Sequence, residues 1–282
     1  LVFNVILNRN LTYQSVENTK PTMDLAYAGF DGVVIDEMQG QRQVLNTSLT
    51  RDSIVTVDKS QEIEVFLPGK YADKKVSYML RNFDGSNLVE DGEMTFKDME
   101  NDMAVFTVAF RMSLTQDTEY RFFISMDEIK DASATDAKGE TIYYSTRVKK
   151  MEKNQVQAFL SYAELFHANM LAADQNAAVE AANAAGESNV SVVEIATGMD
   201  AVIQTGSGKD NSIYHVTLAS SVDALTYAGM QLEIAKAPVA SITELAGDHA
   251  TIKYSFKAIC KENDGVHTYS IDEYFQLKYE ES

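Results

Sequence analysis

Apolar residues occupy every second position in a series of short runs between Met23 and Lys150, and turn-forming residues separate these runs. A period of two is that of a β-strand with one buried face, and short strands at regular spacing are typical of an antiparallel β-sandwich. We therefore predict a mainly β first domain over residues 23–150. Its predicted strands are Asp24–Phe30, Val33–Met38, Ser53–Val57, Glu62–Leu67, Val76–Asn82, Asn87–Phe96, Ala104–Phe110, Glu119–Met126 and Glu140–Lys149.

Two Asp-Gly pairs in this stretch, Asp84-Gly85 and Asp91-Gly92, have the composition of tight turns. Glycine accepts a positive φ without steric cost, and aspartate forms hydrogen bonds to the nearby backbone. Each pair therefore predicts a hairpin turn between neighbouring strands.

The period of the pattern changes to that of a helix after Met151. Apolar residues at helical spacing predict an amphipathic helix that packs through one face. A second, alanine-rich helix is predicted from an N-cap at Asp174 through Ala185, with Gly186 ending it. The apolar face of the first helix comprises Val156, Phe159, Leu160, Ala163, Phe166 and Met170.

Strand patterns resume after the helices, and Asn263-Asp264-Gly265 predicts a hairpin between the last two strands. We therefore predict an α+β second domain over residues 151–282, with two helices packed on an antiparallel sheet. A curved sheet wrapped around a helix, as in cystatin-like or nuclear-transport-factor-like folds, is one form of such a domain. The predicted strands are Val190–Ile195, Ala201–Gln204, Ile213–Leu218, Gln231–Ala235, Ser241–Leu245, Ala250–Lys261 and Val266–Tyr279.

Length, charge and cysteine content narrow the classes of function. A chain of 282 residues is long enough for two domains. Its formal net charge of -18 repels phosphate backbones, which argues against nucleic acid as a partner. The single cysteine, Cys260, lies in an apolar alternation, so we expect it to be buried. One thiol permits no intramolecular disulfide.

The first 22 residues differ in character from the rest of the chain. Leu1–Leu7 is rich in apolar residues, and the stretch from Asn8 to Thr22 is polar. Seven residues are too few to span a bilayer, which needs about 20, but they suit the outer end of such a helix. The alternative is a first strand of the domain. We predict that residues 1–22 form the end of a membrane anchor and a polar stalk.

No motif in the chain has the spacing of a catalytic, cofactor or metal site, so we predict none. The segment Thr205–Lys209 lacks the first glycine and the final hydroxyl residue of a phosphate-binding loop. Asp131–Asp136 alternates oxygen-bearing residues but lacks the order of a calcium-binding loop. The four histidines are not at zinc-binding spacing, and we interpret them as ordinary side chains. They are His167, His215, His249 and His267.

Leu114, Thr118 and Tyr120 carry the most informative local pattern, a leucine followed by Thr-Glu-Tyr at the start of a predicted strand. This pattern resembles the tyrosine corner of fibronectin type III and immunoglobulin-like β-sandwiches. The resemblance implies that these three residues are structural. It also implies that the Tyr120 ring is buried and that its hydroxyl bonds to the backbone a few residues upstream.

The opening from Phe3 to Tyr13, followed by a sandwich and by the helix that contains Phe166 and His167, gives a second resemblance. It is similar to the N-terminal part of uncharacterised membrane-anchored extracytoplasmic proteins of clostridial Gram-positive bacteria. This resemblance implies a location outside the membrane, with a membrane helix upstream, and it implies no activity.

These observations favour a non-enzymatic extracytoplasmic module of a membrane-anchored cell-envelope protein. Its role is structural or protein-binding, through an exposed strand edge, with a protein or a cell-wall glycan as partner. The alternative is a ligand-binding domain that holds a glycan, peptide or small molecule on the sheet of the second domain. A glycosidase would need two carboxylates facing each other across a cleft, and the sequence has no cleft-forming motif.

Overall fold

The computed structural model describes residues 24–30, 33–42, 46–47, 53–127, 140–152, 155–168, 171, 227, 232–262 and 265–279. In this part of the chain, thirteen strands and one α-helix, α1 (155–168), surround a buried core. A short 3-10 helix covers Gly69–Tyr71. The strands are β1 (Leu25–Phe30), β2 (Val33–Gln39), β3 (Ile54–Val57), β4 (Glu62–Pro68), β5 (Ser77–Arg81), β6 (Leu88–Glu93), β7 (Thr95–Glu100), β8 (Met103–Ala109), β9 (Glu119–Asp127), β10 (Thr141–Lys150), β11 (Glu233–Ala246), β12 (His249–Glu262) and β13 (Gly265–Lys278).

The strands form two sheets, which confirms the prediction of a mainly β, sandwich-like fold. One sheet has the order β2-β1-β4-β8-β7, and the other has the order β13-β12-β11-β3-β10-β9-β5-β6. Neighbouring strands are antiparallel except for β3 and β10, which run parallel. The period-two pattern of the sequence therefore corresponds to strands with one face toward the other sheet.

A single buried cluster contains residues from both halves of the chain. Val65 and Phe122 contribute to it from the two sheets, Phe159 from α1 and Ile252 from β12. These side chains are almost fully inaccessible to water, and such burial is the main stabilising term in folding. The last three strands therefore share a core with the sandwich.

The region from Leu88 to Glu100 differs from the sequence prediction. The single strand predicted over Asn87–Phe96 is two strands, β6 and β7, which lie in different sheets because the chain crosses between them at the buried Met94. The prediction of a hairpin turn at Asp91-Gly92 was also wrong, because both residues lie inside β6. A Cβ at Gly92 would lie 3.1 Å from a ring carbon of Tyr78, so glycine here serves close packing.

The turn at Asp84-Gly85 lies where it was predicted, between β5 and β6. Gly85 has a φ of 77°. A Cβ at this position would also lie 1.8 Å from the carbonyl oxygen of Thr47, so both the backbone conformation and the space require glycine.

The second half also departs from the prediction. The strands predicted over Gln231–Ala235 and Ser241–Leu245 are one strand, β11, because register shifts on both sides of Lys236 accommodate Pro238, which lacks a backbone donor. The α+β arrangement with two helices is not supported. The described residues after 151 form α1 and a three-stranded meander that continues the eight-stranded sheet. The predicted helix from Asp174 lies outside the described residues.

The meander β11–β13, which we call the β-extension, joins the sandwich beside β3. Ile242 of β11 pairs with Ile54 of β3, and Arg147 of β10 donates a hydrogen bond from Nη2 to the carbonyl oxygen of Thr243 at 2.8 Å. Lys149 donates another to the carbonyl oxygen of Leu245. The sheet and the core both cross residue 150, and the domain boundary predicted there stays a prediction.

Candidate functional site

Strand β13 lies at one end of the eight-stranded sheet. It pairs with β12 continuously from His249 opposite Lys278 to Glu262 opposite Gly265, with no shift in register over its 14 residues. Within the described residues, no strand pairs with its other side. An edge strand presents a row of backbone N–H and C=O groups that another strand can use.

The other edge strands are less suited to pairing. Strand β6 has 6 residues and includes Glu90, Asp91 and Glu93. Strand β7 has 6 residues and a register shift between Phe96 and Asp98. Strand β2 has 7 residues and a register shift in its pairing with β1. Short length, charge and bulges are the features by which natural sheets protect their edges. Strand β13 has 14 residues, at least twice as many as each of these, and it has no bulge.

The two faces of β13 differ in chemistry. Residues at even positions face water, and among them Val266 and Tyr274 are 67% and 59% exposed. The odd positions from His267 to Leu277 are half-buried, or buried in the case of Glu273, on the side of α1. There the Phe275 ring lies 5.5 Å from the ring of Phe166 and 5.9 Å from that of Tyr254. A strand added at β13 would contact partly exposed apolar side chains on the face toward α1. On the water-facing side it would contact polar residues together with Val266 and Tyr274.

Glu273 is the charged exception on the inner face of β13, and it is only 9% exposed. One of its oxygens lies 2.5 Å from Nδ1 of His167, and the other accepts a hydrogen bond from the hydroxyl of Tyr227. His167 is 5% exposed, and its ring stacks on Tyr254 with the centroids 4.9 Å apart. We call His167, Tyr227 and Glu273 the polar cluster.

The polar cluster is enclosed by aromatic rings. Phe256 meets the His167 ring edge-on at 5.2 Å, and Nε2 of His167 is buried with no hydrogen-bond partner within the described part of the chain. Burial, followed by the charges of Glu164 and Glu273, raises the pKa of Tyr254 to about 12, so its hydroxyl stays neutral. The contact of His167 with Glu273 thus links the end of α1 to β13, and the stacking of the His167 ring on Tyr254 links it to β12.

The residues predicted as structural lie together at the start of β9. Leu114 and Tyr120 are buried, and Thr118 is half-buried. The backbone N–H of Thr115 donates a hydrogen bond to the Tyr120 hydroxyl oxygen at 3.1 Å, and that of Leu114 donates one to Oε1 of Gln61 at 2.7 Å. Four strands separate β9 from β13 in the sheet, so these residues are not part of the candidate site.

Several other segments with candidate chemistry lie outside the described residues. Thr205–Lys209 and Asp131–Asp136 lie outside the described residues, as does His215. Cys260 is buried in a small apolar cluster with Phe256. A recess under α1, lined by Phe30, Ile35, Thr56, Val156, Leu160 and two neighbours, has a volume of about 10 Å³, roughly enough for one water molecule.

The sequence contains a signal for the polar cluster beside its apolar periodicity. His167 follows Val156, Phe159 and Ala163 on the buried face of α1, and Glu273 interrupts the apolar alternation of β13. A histidine and a carboxylate at two positions where apolar residues are expected suggest a buried pair. The position of Tyr227 gives no comparable signal.

No protein-family model, curated protein or solved structure matches this chain. Within the described residues, no helix combines the length and the apolar character needed to cross a bilayer. The function must therefore be inferred from β13 and the residues behind it.

Proposed function

We propose that this chain is a non-enzymatic structural and protein-binding module that binds its partner by strand addition at β13. The observation that carries the proposal is the 14-residue edge, paired with β12 in continuous register and with no described strand on its other side. In strand addition, main-chain hydrogen bonds supply affinity, and alternate side chains supply specificity.

The inner rim of β13 supports this proposal. Tyr269, Ile271 and Leu277 are half-buried at odd positions on the face toward α1. The side chains of a strand added beside β13 would cover their remaining exposed apolar area. Natural edges usually avoid such a combination of length, flatness and apolar character, because it promotes pairing with another chain.

The polar cluster ties β13 to α1, and this attachment also favours binding. Glu273 lies near the middle of β13 and is bonded to α1 through His167, and Phe275 packs on Phe166 of the same helix. A strand already held in its bound conformation has less conformational freedom to lose on association.

We further propose that residues 23–150 are an immunoglobulin-like module. Such sandwiches place strands B, E and D together in one sheet and C, F and G in the other. The order β4-β8-β7 agrees with the first set, and β5-β9-β10 agrees with the second. The buried Tyr120, with its hydroxyl bonded to the backbone of Thr115, supports the same assignment.

For location, we propose an extracytoplasmic, membrane-anchored protein of the cell envelope. The apolar run Leu1–Leu7 and the polar stretch after it support this proposal. Protease added to intact cells should cleave the module, and complete protection until the cells are lysed would contradict an outside location.

Amide hydrogen exchange resolved by NMR tests the open edge. In dilute protein, amides of β13 that bond to β12 should exchange slowly, and the alternate amides that point outward should exchange near the rate of an unfolded chain. Strand β12 is the internal control between His249 and Ile259, where it pairs with both β11 and β13 and most of its amides should be slow. Uniformly slow exchange along β13 at a dilution where the protein is monomeric would mean that the chain itself covers the edge, and the proposal would be wrong.

A further inference from the structure

We infer that the strand added to β13 is β13 of a second copy of this chain, paired antiparallel about a two-fold axis at Ser270. The inference rests on the proposed function and names the partner. A two-fold axis perpendicular to a sheet makes a closed dimer in which one edge serves both subunits. The resulting sheet would continue through both molecules.

Symmetry restricts the possible registers. The axis keeps the water-facing side of β13 on the same face in both copies, so even positions pair only with even positions and odd positions only with odd. Each register is therefore defined by the residue on the axis. Only a few registers leave most of β13 paired.

The register centred on Ser270 places complementary residues opposite each other. Val266 of one copy lies opposite Tyr274 of the other, and this contact occurs twice. Within the described residues, these are the two most exposed large apolar side chains, so one contact covers both. Thr268 lies opposite Asp272, a hydroxyl donor facing a carboxylate acceptor.

The inner face agrees with the same register. Tyr269 lies opposite Ile271 of the second copy, and His267 lies opposite Glu273, so no like charges meet between residues 266 and 274. An aromatic ring opposite a β-branched side chain is a favourable cross-strand pair.

The neighbouring registers are worse. Centring on Asp272 places Asp272 opposite itself, and like charges directly opposite are destabilising. Centring on Ile271 places Tyr274 opposite Thr268 and Val266 opposite Gln276, which leaves both exposed apolar residues without an apolar partner.

The net charge of the chain makes the proposed dimerisation depend on salt. Each copy carries a formal net charge of -18, so two copies repel each other until salt screens the repulsion. Association should therefore strengthen with ionic strength, opposite to the behaviour of a complex formed by opposite charges.

Disulfide trapping tests the register in the full chain. Ser270→Cys should yield a disulfide-linked dimer under mild oxidation, because the two residues lie directly opposite across the axis. Thr268→Cys is the matched control, on the same face of the same strand. Its two copies would be offset by four residues, about 13 Å, which is too far for a disulfide. Equal trapping of both variants, or trapping of the control alone, would overturn this register.

Sedimentation equilibrium tests whether a second copy of the chain is the partner of β13. Tyr274→Lys should weaken dimerisation by about tenfold or more, because both apolar pairs are lost. Tyr162→Lys is the control, since Tyr162 is 48% exposed on α1 and away from the edge. A wild-type chain that stays monomeric at high concentration and high salt overturns the second copy as partner.

Hydrogen exchange in the Tyr274→Lys variant separates this inference from the proposed function. Alternating exchange along β13 without a wild-type dimer would retain the open edge and reject the second copy. Uniformly slow exchange in this variant would reject strand addition itself.

Discussion

Buried charged residues in this protein hold elements together through hydrogen bonds that can be assigned residue by residue. Glu90 of β6 accepts hydrogen bonds from the Tyr78 hydroxyl at 2.6 Å, from Nε of Arg111 at 3.2 Å and from the backbone N–H of Met112 at 2.9 Å. Arg111 and Met112 follow β8, which belongs to the other sheet. One carboxylate therefore fastens the two sheets at this end of the sandwich.

The same contacts determine how Glu90 responds to pH. Burial alone would raise its pKa, but the hydrogen bonds from Tyr78, Met112 and Arg111 outweigh burial and hold the pKa below its usual value. A depressed pKa means that Glu90 contributes stability above about pH 4.5, its unfolded value, and that this contribution is lost as pH falls through the folded value.

Glu90→Gln should lower the free energy of unfolding at pH 7 by about 1–3 kcal/mol, because charge-assisted hydrogen bonds are lost. The variant should also lose less stability than the wild type on going below pH 4.5. Urea denaturation at several pH values measures both effects. Glu93→Gln on the same strand is the control, since Glu93 and its partner Lys75 are exposed and such pairs contribute little. Parallel pH profiles for wild type and Glu90→Gln would contradict the assignment.

At the scale of elements, the packing of α1 on the β-extension combines apolar contacts with one buried polar pair. Phe159 contacts Tyr279, and Phe166 contacts Phe275, while His167 and Glu273 meet between them and Tyr254. A buried pair of this kind adds little net stability, but it disfavours other alignments of helix and sheet that would leave a charge unpaired.

The variants His167→Phe and Glu273→Leu test this role. Each single change should destabilise the protein by about 3–5 kcal/mol. His167→Phe leaves the buried Glu273 carboxylate with the Tyr227 hydroxyl alone, and Glu273→Leu removes the acceptor that faces Nδ1 of His167. The double variant should cost much less than the sum, since both polar groups are removed together. Urea denaturation of the four proteins gives the coupling energy. Additive effects would show that the pair does not interact.

At the scale of the whole molecule, the β-extension is a continuation of the sandwich. Ile242 pairs with Ile54, and Ile252 belongs to the same buried cluster as Val148 and Phe159. Because these residues exclude water jointly, separating the extension from the sandwich would expose apolar area on both. We therefore expect the two halves of the chain to unfold together.

Ile252→Ala is the test of this cooperativity. The change should cost about 2–5 kcal/mol, and amides of β9 and β12 should lose protection by equal amounts in hydrogen exchange. Ile271→Ala is the control, because Ile271 is only half-buried and packs against the smaller cluster around Phe256. A loss confined to β11–β13, or two separate unfolding transitions, would show that the halves are independent domains.

The alternation of apolar and polar residues was sufficient to predict many strands. It failed where contacts between distant parts of the chain determine where a strand ends. The strands at Glu62–Leu67 and Glu119–Met126 lie close to their predicted bounds, because alternation records which face is buried. The predicted strand Asn87–Phe96 is divided because Met94 enters the core between the sheets, and Pro238 lies within β11 because a bulge accommodates it.

The sequence by itself determined where most of the described strands lie, which face of α1 is apolar, and that Cys260 would be buried, since burial patterns are set by the order of apolar and polar residues. Only the tertiary structure decided that β3 lies between β10 and β11, that His167 meets Glu273, and that β13 ends the sheet. Strand neighbours and buried pairs depend on contacts between distant residues, and periodicity carries no information about partners.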